Sequence, residues 1–220
     1  QDRALSDYNI AISLDSTNAL YYRKRGILFL ELYDNIHACL KDYRLGLKYD
    51  SSSIIMTNIG RLYDGGFDEF TNIDSAHYWF KLGVKYAGND EYSLRSYAEF
   101  LNRINENKEA LKYINMAISI KKNYNGLVTK GDVLVKMNLI EDAENIYLEA
   151  IDLKENDNKL ITKTGIDSET RVLGRYLNLV YESYDATSAI KKITIIIEKY
   201  PSKYYPYIWT SFCYSDLEDY

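Results

Sequence analysis

Apolar residues along this chain recur at helical spacing, and one arrangement of them is used again and again. In Leu139–Leu153, Ala143, Tyr147 and Ala150 fall at i, i+4 and i+7, on one face of an α-helix. The same small–large–small spelling reads Ala4-Tyr8-Ala11, Cys39-Tyr43-Gly46, Ala76-Phe80-Gly83, Ala110-Ile114-Ala117 and, with a weaker match, Ala189-Ile193-Ile196. In chain order the copies are 35, 37, 34, 33 and 46 residues apart. A period near 34 marks an array of helix pairs.

Turn-forming residues divide the pattern into elements. A helix is predicted over 1–14, followed by the turn Asp15-Ser16-Thr17-Asn18. Pairs follow at 19–33 with 36–49, 54–64 with 73–87, 91–103 with 107–120, 124–137 with 140–153 and 169–183 with 186–200. Pro201 stops the last of these, and a further helix occupies 203–220. The expected division is one array over 1–220: a half repeat 1–18, repeats 19–53, 54–90, 91–123 and 124–157, an insertion 158–168, a repeat 169–201 and a half repeat 202–220. The polar stretch 154–168 breaks the period and is the expected point of easiest cleavage. One pair cannot bury its apolar face alone, so neighbours share a core. The half repeats suggest that the chain starts inside a larger protein, and their uncovered faces predict end-to-end self-association.

Composition fits this picture. With two prolines and 11 glycines among 220 residues, long helices joined by short turns are unobstructed. The 23 tyrosines suit a thin structure with much half-buried surface. A net charge of −5 argues against nucleic acid as partner, since phosphate binding needs excess Lys and Arg. No apolar run is long enough to span a bilayer, and no signal peptide is visible, which points to a cytoplasmic location and no membrane partner.

The spelling resembles the tetratricopeptide repeat (TPR), whose signature joins a Leu-Gly-x2-Tyr helix to an Ala-x3-Phe helix. The first half reads here as Arg25-Gly26-x2-Phe29, Ile59-Gly60-x2-Tyr63, Tyr97-Ala98-x2-Leu101, Lys130-Gly131-x2-Leu134 and Leu173-Gly174-x2-Leu177. The third repeat, Ile59-Gly60-x2-Tyr63-x2-Gly66 followed by Ala76-x2-Trp79-Phe80, looks like the related Sel1-like repeat. The resemblance implies an all-α fold, a right-handed superhelix of antiparallel helix pairs. It also implies a scaffold that binds a peptide or protein segment in its concave groove. The alternative is a targeting or regulatory repeat region of a larger enzyme. Arg25 and Lys130 stand where the family carries an apolar residue, so their charges are expected to snorkel outward.

Transferring the family's groove register gives 25 first-helix positions with eight basic and four acidic residues, a local charge of +4. Six of the nine arginines fall among them. The groove residues so nominated are Arg23, Lys24, Asn58, Arg61, Arg95, Glu99, Asn102, Arg103, Asp132, Arg171, Arg175 and Asn178. A guanidinium can take a carboxylate with two parallel hydrogen bonds, so an acidic peptide is the expected ligand. The competing reading is that these arginines pair with the groove's own Glu31, Asp64, Glu99 and Asp132.

No catalytic, cofactor or metal motif is present. His37 and His77 have no companions at ligand spacing, and Cys39 stands where other copies carry Ala. A Cys39–Cys213 disulfide is not expected. The aromatic runs Tyr78-Trp79-Phe80 and Tyr204–Trp209 serve either as peptide anchors or as inter-helix core with a partly exposed end.

Overall fold

The computed structural model describes residues 2–65, 70–155, 168–201, 203 and 205–218. Among them are twelve α-helices and no strand. The chain divides into two compact units, Gln1–Ile104 and Asn105–Tyr220. The 158–168 insertion and Gly66 of the Sel1-like spelling lie outside the described residues, except for Ser168, where a helix begins.

The first unit holds α1 (Asp2–Leu14), α2 (Ala19–Tyr33), α3 (Ile36–Gly46), α4 (Ser53–Tyr63), α5 (Ile73–Lys85) and α6 (Glu91–Arg103). α2 packs along α3 and α4 along α5; α4 also touches α3 and α6. The starts are set by side-chain caps. Asn18, Asn35, Ser52, Asn72 and Asp90 each accept a hydrogen bond from a backbone N–H in the following turn. The turns that end α2 and α4 pass through left-handed backbone at Asp34 (φ 48°) and Gly65 (φ 105°), where short polar residues and glycine are tolerated.

Pairing rests on the repeated spelling. The ring of Tyr43 lies on Gly26 and that of Phe80 on Gly60. A Cβ added to Gly26 would stand 2.8 Å from Tyr43, and one on Gly60 would stand 3.0 Å from Phe80. The second small residue works the same way from the other side: a Cβ on Gly83 would stand 2.7 Å from the Thr57 hydroxyl. Glycine on one helix thus makes the hollow that an aromatic ring on the next helix fills. Cys39, Tyr43, Ile55 and Ile59 anchor the resulting core, against which Trp79 is packed. Cys39 is a free thiol with no exposed surface, in the place of alanine.

Arg25 corrects the expectation of an outward charge. Its guanidinium turns inward to Asp42 on α3, donating from Nε and Nη2 at 2.7 Å each to the two carboxylate oxygens. Asp42 is buried, and only 17% of the Arg25 side chain is exposed. Nη1 donates to Asn9 on α1 at 2.7 Å. The stem could have reached water, but a carboxylate across the helix pair offers two charge-assisted bonds instead.

The second unit holds α7 (Asn107–Ile120), α8 (Tyr124–Lys136), α9 (Ile140–Glu155), α10 (Ser168–Ser183), α11 (Ala186–Lys199) and α12 (Tyr205–Glu218). α8 packs along α9 with Tyr147 seated on Gly131, and the turn between them passes through Asn138 at φ 59°. A core runs from Leu127 through Tyr147, Leu177 and Ile193 to Cys213. The copy with the weakest spelling packs differently. Ile193 carries no ring, and a Cβ on Gly174 would meet open space. α11 lies more extensively against α12 than against α10.

Candidate protein-interaction face

In the first unit, neighbouring first helices α4 and α6 bring several of the nominated residues into one connected row. Asn58 and Arg61 are one turn apart on α4, and Asp64 caps its end. Arg95, Glu99 and Arg103 follow at intervals of four on α6. Arg95 donates from Nε to Glu91 at 2.9 Å and from Nη1 to Glu99 at 2.6 Å. Glu99 in turn faces Arg61 at 3.7 Å, and Arg103 pairs with Asp64 across the two helices. Acids of the same two helices and of the turn after α4 therefore hold these arginines.

The row is not uniform. Only 14% of the Arg95 side chain is exposed, against 52% for Arg61 and 46% for Arg103. Burial works against the Arg95 charge, but Glu99 and Glu91 outweigh it and hold its pKa above the ordinary value. Its guanidinium also lies over the Tyr92 ring, 5.7 Å from the centroid. Arg95 is thus a fixed strut, whereas Arg61 and Arg103 present donors to solvent.

Asn58 is oriented from two sides. Tyr92 donates its hydroxyl to Asn58 Oδ1 at 2.9 Å, and the Asn58 amide reaches toward Tyr43 at 3.5 Å. Burial pushes the Tyr43 hydroxyl well above its ordinary pKa, so it stays protonated. Sequence reasoning missed Tyr92 and Glu91. Their one signal was spacing: Tyr92 stands three residues and Glu91 four before Arg95 on the same helix. Asn102 is half-buried on α6, and on α2 Arg23 is half-buried and Lys24 exposed. Arg23 and Lys24 form no ion pair among the described residues.

In the second unit, Asp132 on α8 is the meeting point. Tyr147 donates to its Oδ1 at 2.7 Å, and Arg175 on α10 pairs with Oδ2. Arg171 and Asn178 are exposed on α10.

The remaining candidates take packing positions. His37 meets the Phe70 ring edge-on at 5.0 Å, and His77 lies 5.8 Å from Phe100 with Nε2 2.7 Å from the Tyr97 hydroxyl. Phe80 is core, Trp79 half-buried and Tyr78 exposed. Tyr204 lies outside the described residues, while Trp209 packs edge-on against Tyr181 at 5.5 Å. Among the described residues no group of three or more His, Cys, Asp and Glu side chains is placed to hold a metal ion. None of the described helices is long and apolar enough to cross a membrane.

Solved structures with this arrangement of paired helices share one architecture. Yeast Tom70 is similar over 97% of this chain and 43% of its own, with 17% identity and a TM-score of 0.64. PilF of Pseudomonas aeruginosa is similar over 95% of this chain and 86% of its own, at 15% identity and a TM-score of 0.61. The C-terminal part of a TPR repeat-containing protein from Cytophaga hutchinsonii matches 87% of this chain and 73% of its own, at 12% identity and 0.58. The chain has the TPR-like helical-repeat fold. This TPR-like chain spans less than half the length of the Tom70 chain. No family model matches its sequence, and no curated protein matches it. The TPR-like fold is therefore legible in the paired helices, while sequence identity to these neighbours is only 12–17%.

Proposed function

We propose that this chain is a protein-interaction scaffold without catalytic chemistry of its own, and that its first-helix face takes an extended segment of another protein. TPR-like proteins are generally protein-interaction scaffolds. The observation that carries the reading is the row on α4 and α6, in which oriented amide, guanidinium and carboxylate groups share one face. Such a row can bind peptide backbone and side chains without a deep pocket.

The occupant we favour carries carboxylates. Arg61 touches Glu99 at 3.7 Å through one nitrogen, which leaves most of its five donors available. Exposed pairs of this sort are worth about 0–1 kcal/mol, so exchanging or sharing a carboxylate costs little. Arg61 and Arg103 are the contacts in this reading, Arg95 positions Glu99, and Arg171 and Arg175 supply the corresponding charge in the second unit.

Selection of a random peptide library displayed on phage against the 220-residue chain tests this. Acidic sequences should be enriched, and their affinity should fall about tenfold or more in Arg61→Glu/Arg103→Glu, with a marked salt dependence. Enrichment of sequences without acidic bias, or an unchanged affinity in the charge-reversed variant, would sink the acidic-ligand reading.

A further inference from the structure

Opposite their buried stripe, the second helices α3 and α5 expose a basic one. In α3, Cys39, Tyr43 and Gly46 are buried. Lys41, Arg44 and, in the turn that follows, Lys48 are exposed about 180° round the helix. α5 repeats this: Ala76, Phe80 and Gly83 are buried, while Tyr78, Lys81 and Lys85 are exposed at the equivalent places. Exposed tyrosines follow both helices, Tyr49 after α3 and Tyr86 after α5. Both helices pack on α4, and Trp79 of α5 lies against the core that α3 helps build. Among the described residues none of the five cations forms an ion pair, whereas the arginines of α4 and α6 are held by acids. On these two helices and the turns that close them the acids are Asp42, held by Arg25, Asp90, held by Ser53 and Ser93, and the exposed Asp50 and Asp74. Asp34 belongs to the opposite end of α3, and Asp68 and Glu69 lie outside the described residues. The helix dipole favours cations in a last turn, which accounts for Arg44 and Lys85. Lys41 and Lys81 stand a turn earlier. In the second unit the equivalent places on α9 carry Glu141, Asn145, Leu148 and Asp152, so a basic outward side is not general to second helices.

We propose that this outward side of α3 and α5 docks on the surface of an anionic phospholipid bilayer. Four of the five cations are lysines. An ammonium is a compact charge that suits scattered, mobile headgroups, whereas a guanidinium fork suits one fixed carboxylate. Clustered lysines near an anionic leaflet each add to the attraction. Tyr78, 60% exposed, stands among the cations, and Tyr49 and Tyr86 stand at their ends. Tyrosine rings favour the headgroup level, where the ring meets acyl carbon and the hydroxyl stays wet. The outward side of a helix pair has neither the groove nor the sheet edge that an extended peptide uses, which favours a broad surface as the occupant. The overall charge of −5 does not oppose the contact. At about 0.1 M salt the Debye length is about 10 Å, so the charges nearest the bilayer govern. A contact of this kind lies on the membrane and needs no spanning helix.

Co-sedimentation of the 220-residue chain with vesicles tests the proposal. At about 0.1 M salt the wild type should pellet with vesicles of about one-third phosphatidylserine in phosphatidylcholine, stay in solution with pure phosphatidylcholine, and be released as salt rises. Lys41→Glu/Lys48→Glu/Lys81→Glu changes only exposed positions outside the last helical turns, so its circular dichroism spectrum should match the wild type. Its partition onto the anionic vesicles should fall about tenfold or more. Lys108→Glu/Lys121→Glu/Lys191→Glu makes the same change of charge at exposed positions of the second unit and should keep the partition within about twofold. A wild type that ignores the anionic vesicles, an unchanged partition in the first variant, or an equal loss in the second would overturn the proposal. Vesicle binding that is absent while polyglutamate or a single-stranded RNA binds the wild type and not the first variant would overturn it in favour of that partner.

Discussion

Arg25 and Asp42 face each other across α2 and α3 with two parallel hydrogen bonds of 2.7 Å, and Asn9 takes a third donor of the same guanidinium. The pair ties α1, α2 and α3 together at a position where the repeat pattern has an apolar residue. Asp42 holds the Arg25 pKa above its ordinary value. Asp42→Ala should cost about 2–3 kcal/mol in urea unfolding, somewhat under the figure for a fully dry pair because part of Arg25 reaches solvent. Arg25→Met together with Asp42→Leu should recover most of that loss, since an apolar pair of similar volume often replaces a buried ion pair without penalty. A double variant no better than the single would mean that the pair contributes more than its charge compensation.

The glycine hollows give opposite expectations at equivalent positions. At Gly131 a methyl group would strike the Tyr147 ring, so Gly131→Ala should destabilise by about 1–3 kcal/mol. At Gly174 the same methyl meets open space, so Gly174→Ala should stabilise by about 0.5–1 kcal/mol through helix propensity and a less free unfolded chain. Thermal melts of the two variants check this, and equal effects at both sites would contradict the packing described.

Alkaline pH should unfold the chain early. Burial pushes the Cys39 thiol up to about 11 from 9.0 and the Tyr176 hydroxyl up to about 12 from 10.0, and raises Tyr43 and Tyr147 as well. These groups keep their protons in the folded state where the unfolded chain has lost them. Their contribution is fully present below pH 9 and drains away as pH climbs from 9 toward 12. Denaturant midpoints should be flat near neutrality and fall above pH 9. In native protein at pH 8, alkylation of Cys39 should be slower than in urea by about a hundredfold or more. A native rate equal to the unfolded one would place the thiol outside the core.

Asp90 joins α4 to α6 through a buried hydroxyl chain. Its Oδ2 accepts from Ser53 at 2.8 Å and from Ser93 at 2.5 Å, Thr57 donates to Ser93 at 2.8 Å, and Oδ1 caps α6 through the Tyr92 N–H. Asp90→Ala removes the cap and leaves buried hydroxyls short of an acceptor. The expected loss is about 2–3 kcal/mol, read from chemical denaturation. Hydrogen exchange should quicken first in the opening turn of α6.

Much of this fold was readable before any coordinates. Helices predicted over 19–33, 91–103 and 107–120 have those same bounds, and the others shift by a few residues at their ends. This works because helix periodicity, Asn and Asp caps and left-handed turn residues act over three or four positions, a range that a sequence displays directly. The Gly and aromatic positions of the pairs were also visible as a spelling, though which ring filled which hollow was not.

The side-chain partnerships were decided by tertiary structure. Arg25 finds Asp42 across 17 positions, Tyr92 finds Asn58 across 34, and Arg175 finds Asp132 across 43. Each depends on the register and separation of two packed helices, which no local pattern encodes. The sequence could show that arginines gather on first helices. Only packing determined that Arg95 is a buried strut between two glutamates while Arg61 and Arg103 keep donors in water, because burial and partner geometry belong to the assembled pair and not to either helix alone.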